Sequence, residues 1–174
     1  TEAPAFTSSD KATLIFDGAM SHAKVYLNGH EIGYWPYGYN SFYLDATPYM
    51  KPGESNLLAV RLENETESSR WYPGAGLYRN VHLRVNKPVH NDIPVWGTYL
   101  TTPVVKSEYA KVHLNTALET GQPEASGYRI VTELKDQWGK VVASGDKVLA
   151  YGDGNVFEQS FVVRSPELWS PETP

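Results

Sequence analysis

The sequence contains no cysteine, which excludes disulfide bonds, a thiolate nucleophile and cysteine-ligated zinc. It also lacks a long apolar run: none approaches the ~18 residues of a membrane-spanning helix, and the mean hydropathy is −0.43. Basic residues are outnumbered, with 15 Lys and Arg against 20 Asp and Glu and a net charge of −5. Because nucleic acids require a basic binding surface, the composition predicts neither a nucleic-acid partner nor a membrane partner.

The chain has 174 residues, enough for one large domain or two small ones. A complete (β/α)₈ barrel requires ~250 residues, so the chain does not contain one. Hydrophobic residues make up 41% and aromatic residues 13%, which is enough to form packed cores. Residues 1–6 show neither the basic nor the apolar part of a signal peptide, so they do not indicate a compartment.

Alternation of apolar and polar residues is frequent, whereas helical periodicity is scarce. Period-two segments predict half-buried β-strands at residues 23–27, 58–62, 81–85 and 112–118. Turn signals separate these segments. Asn28-Gly29 predicts a type I′ hairpin, the sequence KPGE at residues 51–54 predicts a turn, and residues 136–140 predict a second hairpin. Many short strands separated by Gly and Pro indicate β-sandwiches.

The sequence predicts a domain boundary at residues 86–88, because a strand pattern ends at Val85 and Pro88 cannot donate to a ladder. About five strands are predicted after it, at the ~8–12-residue spacing of a small sandwich. Their predicted ranges are 99–101, 109–118, 128–135, 141–150 and 155–163. Residues 165–174 contain three prolines and are predicted to form an extended connector.

Residues 65–79 are the most informative segment, because a connection this long between two strands is unusual unless it has a function. Its large side chains include Arg70, Trp71, Tyr78 and Arg79. In one interpretation, the aromatic rings pack onto the sandwich and the arginines bind backbone carbonyls. In the other, the segment contributes a surface to a neighbouring site.

The segment SRWYPGAGLYRNV at residues 69–81 strongly resembles glycoside hydrolase family 2, particularly its bacterial β-galactosidases. Matching upstream segments are AKVYLNGH at 23–30, GYNSF at 38–42 and NLLAVR at 56–61. The segment LWSPETP at 168–174 resembles the stretch just before the last strand of the family's immunoglobulin-like domain. The resemblance implies an all-β fold class. Residues 1–86 would form the C-terminal part of a galactose-binding-like, sugar-binding jelly-roll β-sandwich. Residues 87–174 would form an immunoglobulin-like β-sandwich.

The resemblance also implies a function that the chain would not perform alone. Family members carry a (β/α)₈ barrel with two catalytic glutamates, which hydrolyses terminal glycosides with retention. We therefore expect the non-catalytic portion of a β-galactosidase-like enzyme. Its partners would be the barrel of the same protein and, through that barrel, a carbohydrate substrate. No catalytic residue, cofactor or metal is assigned to this chain, and a periplasmic or secreted location is expected, with the cytoplasm as the alternative.

Substrate-binding residues are carried over at three positions only. In some family members, residues of the jelly-roll domain that lie in the region of this motif extend towards the sugar pocket, and one of them is acidic. The match places Ser69, Arg70 and Trp71 there, so the acidic residue is not preserved. The resemblance therefore implies that these three residues contribute to the edge of the substrate site.

An aromatic run offers an alternative function; it consists of Tyr34, Trp35, Tyr37, Tyr39, Phe42 and Tyr43. These rings either fill a core and an interface or form a carbohydrate-binding strip, which would make the chain a free-standing carbohydrate-binding module. A third interpretation is a structural β-sandwich. Because half a jelly roll exposes sheet edges, the chain would then associate into a homo-oligomer or aggregate. The five histidines show no metal-ligand spacing.

Overall fold

A computed structural model of the chain describes residue 7 and residues 9–64, 74–92, 97–120, 127–150 and 155–172. The chain divides into two compact units, Thr1–Pro88 and Val89–Pro174. In the described ranges, all regular structure is β-strand except for one 3-10 turn at Thr47–Tyr49, which confirms the predicted all-β class. None of the helical structure there is long or apolar enough to cross a membrane.

The described residues of the first unit form two three-stranded antiparallel sheets, with strand orders β4-β1-β6 and β3-β2-β5. Its strands are β1 (Lys11–Phe16), β2 (Ala23–Leu27), β3 (His30–Trp35), β4 (Phe42–Asp45), β5 (Leu58–Arg61) and β6 (Val81–Asn86). The central strands β1 and β2 alternate buried and half-buried residues along their whole length. Each therefore turns one apolar face inwards, as a two-layer sandwich requires.

The core of the first unit lies between these two sheets and is dominated by small aliphatic and aromatic side chains. Its buried members are Ala12, Leu14, Phe16, Ala19, Ala23, Val25, Leu27, Phe42 and Ala46. The rings of Phe16 and Phe42 stack with centroids 4.7 Å apart. Trp35 stacks on the same Phe42 ring at 5.6 Å. Because burial of one such ring contributes roughly 1.5–3 kcal/mol, this aromatic stack is a main source of stability in the unit.

Both turns predicted for the first unit are confirmed. Asn28 (φ 51°) and Gly29 (φ 87°) have the positive φ values of a type I′ turn between β2 and β3. Pro52 and Gly53 occupy the centre of the second turn, which is closed by a 3.4 Å hydrogen bond from the Glu54 N–H to the Lys51 carbonyl. Gly53 has φ 67°, as position i+2 of a type II turn requires.

In the part of the second unit that the structure describes, six strands form two layers. They are β7 (His90–Asn91), β8 (Thr98–Val105), β9 (Tyr109–Glu119), β10 (Arg129–Lys135), β11 (Val141–Val148) and β12 (Val156–Arg164). β9 pairs with β12 on one side and with β7 and β8 on the other, while β10 and β11 form a separate hairpin. The structure thus confirms the predicted hairpin at residues 136–140 and the five strand positions, with β8 longer than predicted and β12 displaced by one residue.

Two small clusters form the core of the second unit. Val112, Leu114 and Phe161 are buried together, with Leu134, Ala143 and Val163 packed against them. Leu149 and Phe157 form the second cluster, against Leu118 and Ile130. Side chains from β9 and β12 therefore meet side chains from β10 and β11, and the apolar faces of the two layers close on each other.

Candidate functional site

Three loop segments meet at one end of the first sandwich: residues 17–22, 36–41 and 74–80, which we call the loop end. Met20 and Gly76 form an isolated antiparallel bridge, with N–H···O distances of 3.0 and 3.2 Å. The His22 N–H donates to the Pro36 carbonyl at 3.2 Å. The loop end therefore brings the last part of the 65–79 connection against two segments that are distant in the sequence.

Tyr78 is the side chain that joins these segments most directly. Its hydroxyl donates to the Gly38 carbonyl at 2.7 Å, and its ring covers Gly18 so closely that a Cβ atom there would lie 2.7 Å from the ring. The Arg79 guanidinium lies 5.3 Å from the centre of the same ring, a cation–π distance. The part of the informative segment that the structure describes therefore packs onto the sandwich, as the first interpretation predicted.

Tyrosine and histidine side chains cover the solvent side of the loop end. The Tyr34 hydroxyl and His22 Nδ1 are hydrogen-bonded at 2.6 Å. Tyr37 and Tyr39 have ring centroids 5.7 Å apart and remain 55% and 44% exposed. Between them, Gly38 is buried against Met20, which leaves no room for a side chain. The loop end therefore presents aromatic faces and phenol hydroxyls to solvent side by side.

The aromatic run of residues 34–43 thus has members with two different roles. Phe42 is buried and Trp35 is half-buried in the core stack, so Trp35 is not part of an exposed strip. Tyr34, Tyr37 and Tyr39 lie at the loop end, and Tyr43 is exposed on β4. Period-two alternation explains the difference between Tyr34 and Trp35, because consecutive strand residues face opposite sides of a sheet.

Ser69, Arg70 and Trp71, the residues assigned by resemblance, lie outside the described residues. The described connection ends at Asn64 and resumes at Gly74. Just before the connection, the Glu63 N–H donates to the Ser21 carbonyl at 2.9 Å. The residues that lead into the connection therefore also lie at the loop end. The role of these three residues stays a prediction.

The carboxylates near the loop end contact exposed basic side chains. His82 Nε2 contacts Asp17 Oδ2 at 3.0 Å, and Arg61 contacts Glu63 at 2.8 Å. In the second unit, Glu133 pairs with Lys135 at 2.9 Å. Such exposed pairs contribute only ~0–1 kcal/mol, and none of these groups occupies an apolar pocket of the kind that prepares a catalytic acid. Within the described ranges, no three His, Asp or Glu side chains form a metal-binding group.

The loop end is therefore suited to contacting a polyhydroxylated ligand rather than to cleaving one. Aromatic faces can stack on the C–H surfaces of a sugar, and phenol and imidazole groups can exchange hydrogen bonds with hydroxyls. Asp17 and His82 were not among the residues that the sequence pattern singled out for this end. Their pairing depends on β1 ending beside the start of β6, which no local motif indicates.

Comparison with known proteins places this fold in a class. The model for "Glycosyl hydrolases family 2, sugar binding domain" matches residues 4–88, and the model for "Glycosyl hydrolases family 2" matches residues 93–174. The two sandwich units are thus non-barrel domains of a modular glycosidase architecture. The chain belongs to glycosyl hydrolase family 2, which confirms the resemblance seen in residues 69–81.

Individual relatives support the same assignment over nearly the whole chain. Beta-galactosidase BoGH2A of Bacteroides ovatus is 41% identical, covering 91% of this chain and 19% of the relative. A protein of Formosa agariphila described as "Putative beta-glucuronidase" is 35% identical, covering 96% and 16%. A solved glycosyl hydrolase family 2 member from Bacteroides cellulosilyticus has a TM-score of 0.85 and 32% identity, covering 95% and 21%. The chain therefore spans about a fifth of the length of the relatives it matches.

Proposed function

We propose that the chain is the non-catalytic β-sandwich portion of a glycoside hydrolase that removes terminal β-galactosyl groups with retention. The single observation that carries this proposal is the ordered match of two family-2 domain models to residues 4–88 and 93–174. A retaining glycosidase uses two carboxyl groups ~5–5.5 Å apart. We assign these groups to a barrel elsewhere in the same protein.

Within this proposal, the loop end contributes to the edge of the substrate site. Tyr37 and Tyr39 are exposed there, and the connection that contains Ser69, Arg70 and Trp71 starts and ends there. Edge contacts would bind substrate and transition state about equally, so they act on KM more than on kcat. Galactoside specificity is proposed because the β-galactosidase relative, at 41% identity, is more similar to this chain than the relative described as "Putative beta-glucuronidase", at 35%.

The longer protein that contains this chain provides the test. Assays with matched aryl β-galactoside and aryl β-glucuronide substrates should give turnover of the galactoside, and proton NMR should show the β-anomer of galactose as the first product. Arg70→Ala should raise KM by about threefold to tenfold, in the range of one lost hydrogen bond of ordinary net strength, with kcat nearly unchanged. A first product of α-configuration would contradict retention, and preference for the glucuronide would contradict the assigned specificity.

The exposed tyrosines favour a second candidate, a carbohydrate-binding module that acts without a barrel. Calorimetric titration of the 174-residue chain with galactosides tests it. Saturable binding that is lost in Tyr37→Ala would favour this candidate, and an absence of heat would remove it. Trp35→Ala is unsuitable, because Trp35 packs on Phe42 in the core and its loss would disturb the fold.

A further inference from the structure

The turn between β2 and β3 contains a chemically reactive pair of residues. The sequence has one Asn-Gly pair, Asn28-Gly29. In such a pair, the backbone nitrogen of the second residue is one ring closure away from the side-chain amide carbon of the first, and glycine has no side chain to hinder the approach. Asn28 is therefore the asparagine of this chain at which spontaneous loss of the side-chain amide is chemically easiest.

The folded structure holds the Asn28 side chain through three hydrogen bonds. Its Oδ1 accepts from the Leu57 N–H at 2.9 Å. Its Nδ2 donates to the Tyr49 carbonyl at 2.7 Å and to Asn56 Oδ1 at 2.9 Å. Both N–H groups of the amide and one lone pair of its oxygen are therefore engaged by residues of the same unit.

The group that accepts from the Asn28 amide is itself fixed. Asn56 Oδ1 also accepts from the Lys51 N–H, and Asn56 Nδ2 donates to the carbonyls of Lys51 and Glu54, all at 2.9 Å. To react, the Asn28 amide carbon must turn onto the Gly29 nitrogen, which takes the amide out of its three hydrogen bonds. Reaction therefore requires this end of the sandwich to open, and its rate follows the opened fraction.

We propose that Asn28 is a deamidation site that the fold protects and that reacts when the chain opens. The Gly29 nitrogen loses its proton to a solvent base and attacks Asn28 Cγ, so a new C–N bond forms while the Cγ–Nδ2 bond breaks and ammonia leaves. Water then adds to one carbonyl of the cyclic imide and opens it to aspartate or isoaspartate. No electrons are transferred. The proposal concerns a modification of this chain and does not depend on the hydrolytic function above.

The acidic product cannot rebuild the native network. A carboxylate is an acceptor only, so the oxygen that replaces Nδ2 would face two further acceptors, the Tyr49 carbonyl and Asn56 Oδ1. Asp-Gly still suits a type I′ turn, so aspartate removes the network and keeps the turn. Isoaspartate also lengthens the backbone beside the Leu27–His30 pair of the hairpin. Deamidation therefore marks and destabilises chains that have opened.

Peptide mass spectrometry, with fragmentation to locate the modified residue, tests the protection in the 174-residue chain. Asn28 should convert at least about 100-fold more slowly in buffer than in concentrated urea, because only the opened fraction reacts. Asn56→Ala should speed conversion in buffer by about threefold to tenfold, as for one lost hydrogen bond, and leave the rate in urea unchanged. Asn40→Ala is the control at the loop end, where Asn40 accepts from Trp35 Nε1, and should change neither rate.

Equal conversion of Asn28 in buffer and in urea would overturn the proposal. Equal rates in buffer for Asn56→Ala and the unchanged chain would also overturn it, because the network would then give no protection.

The variant Asn28→Asp reproduces the aspartate product and tests its effect on the fold. Its melting temperature, followed by circular dichroism, should lie about 5 °C or more below that of the unchanged chain. Asn40→Asp is the matched control, because aspartate keeps the oxygen that accepts from Trp35 Nε1, and it should melt with the unchanged chain. Melting of Asn28→Asp at the same temperature as the unchanged chain would contradict the predicted loss of the network. The rate measurement uses the unchanged chain, so it tests the proposal even where Asn28→Asp does not fold.

Discussion

The ring of Tyr78 lies so close to Gly18 that a Cβ atom at position 18 would be 2.7 Å from the ring. The Tyr78 hydroxyl also donates to the Gly38 carbonyl at 2.7 Å. One side chain of the family-specific segment therefore joins three loops of the first sandwich. This part of the segment therefore has a structural role at the loop end, independent of the predicted role of Ser69, Arg70 and Trp71 at a substrate site.

This contact predicts energetic coupling between positions 18 and 78. Gly18→Ala should lower the free energy of unfolding by about 1–3 kcal/mol, because the added methyl group displaces the ring. In a Tyr78→Ala background the same substitution should cost less than about 0.5 kcal/mol, as for a surface change without a steric conflict. Urea unfolding of the four chains measures the cycle. An equal cost of Gly18→Ala in both backgrounds would mean that the ring does not restrict position 18.

Local signals in the sequence predicted the hairpins of both units. Asn28-Gly29 adopts positive φ at both positions, a conformation that this dipeptide favours by itself, so the two residues are sufficient to predict the turn. In β9, the alternation of Val112 and Leu114 with polar neighbours directly encodes the buried face. These features were predictable because the information lies within a few residues of the element.

Other strands carry weaker signals. β1 lies at the centre of its sheet, but its outward position 15 is isoleucine, so the apolar and polar alternation is incomplete. β8 extends to Val105 through an irregularity between Thr101 and Val104, a stretch that includes Pro103 and interrupts a simple strand pattern. The two-residue strand β7 is too short to show any period.

The candidate site was predictable only as a list of residue types. The sequence indicated an aromatic run, but the separation of Trp35 into the core and of Tyr37 and Tyr39 onto the loop end depends on how two sheets pack. The pairing of His22 with Tyr34 likewise depends on loop geometry. Such contacts join segments that are distant in the chain, and no local motif encodes them.

Asn56 provides a second prediction, at the opposite end of the first sandwich. Its Oδ1 accepts from the Lys51 N–H and from Asn28 Nδ2, and its Nδ2 donates to the carbonyls of Lys51 and Glu54, all at 2.9 Å. At ~0.5–1.5 kcal/mol for each net hydrogen bond, Asn56→Ala should cost about 2–4 kcal/mol of unfolding free energy.

Asn40→Ala is the graded control for Asn56, because the Asn40 side chain accepts one bond, from Trp35 Nε1 at 3.0 Å. Its cost should be about 1 kcal/mol or less. Urea unfolding compares the two variants. Equal costs would show that the Asn56 network does not stabilise the turn at Lys51.

Asp10 gives a prediction about pH. The Thr7 N–H bond at 2.9 Å, supported by the Lys87 ammonium at 3.1 Å, holds the pKa of this buried carboxyl below its ordinary value of 3.8, although burial acts in the opposite direction. Because folding lowers the pKa, the ionised group stabilises the fold above pH 3.8, and this contribution disappears as the pH falls through the lowered pKa.

The melting temperature of Asp10→Asn should therefore lie furthest below that of the unchanged chain at neutral pH, and the difference should shrink below pH 3.8. Scanning calorimetry over a pH series measures this difference. Asp92→Asn, which alters an exposed carboxylate of the second unit, should give no comparable trend. A gap for Asp10→Asn that stays constant down to acid pH would contradict the assigned role.

The sheet edges of the first unit predict self-association. Within the described residues, β3, β4, β5 and β6 are each paired on one side only, and unpaired edges favour pairing with another chain. Light scattering should show a mass that rises with concentration. Tyr43→Lys, which places a charge on β4, should reduce this rise, whereas Tyr128→Lys in the second unit should not. A monomer at every concentration would refute the prediction.

Hydrolysis by the 174-residue chain itself is the most direct test of the central claim, that these two sandwiches form a non-catalytic part of a family-2 glycosidase. The purified chain and the longer protein that contains it are incubated with the same aryl β-galactoside, and release of the aryl group is recorded. Glycosidase catalysis accelerates the reaction by a factor of at least ~10⁶, so even weak activity is detectable. The account predicts release by the longer protein and none above the buffer rate by the chain alone; turnover by the chain alone would contradict it.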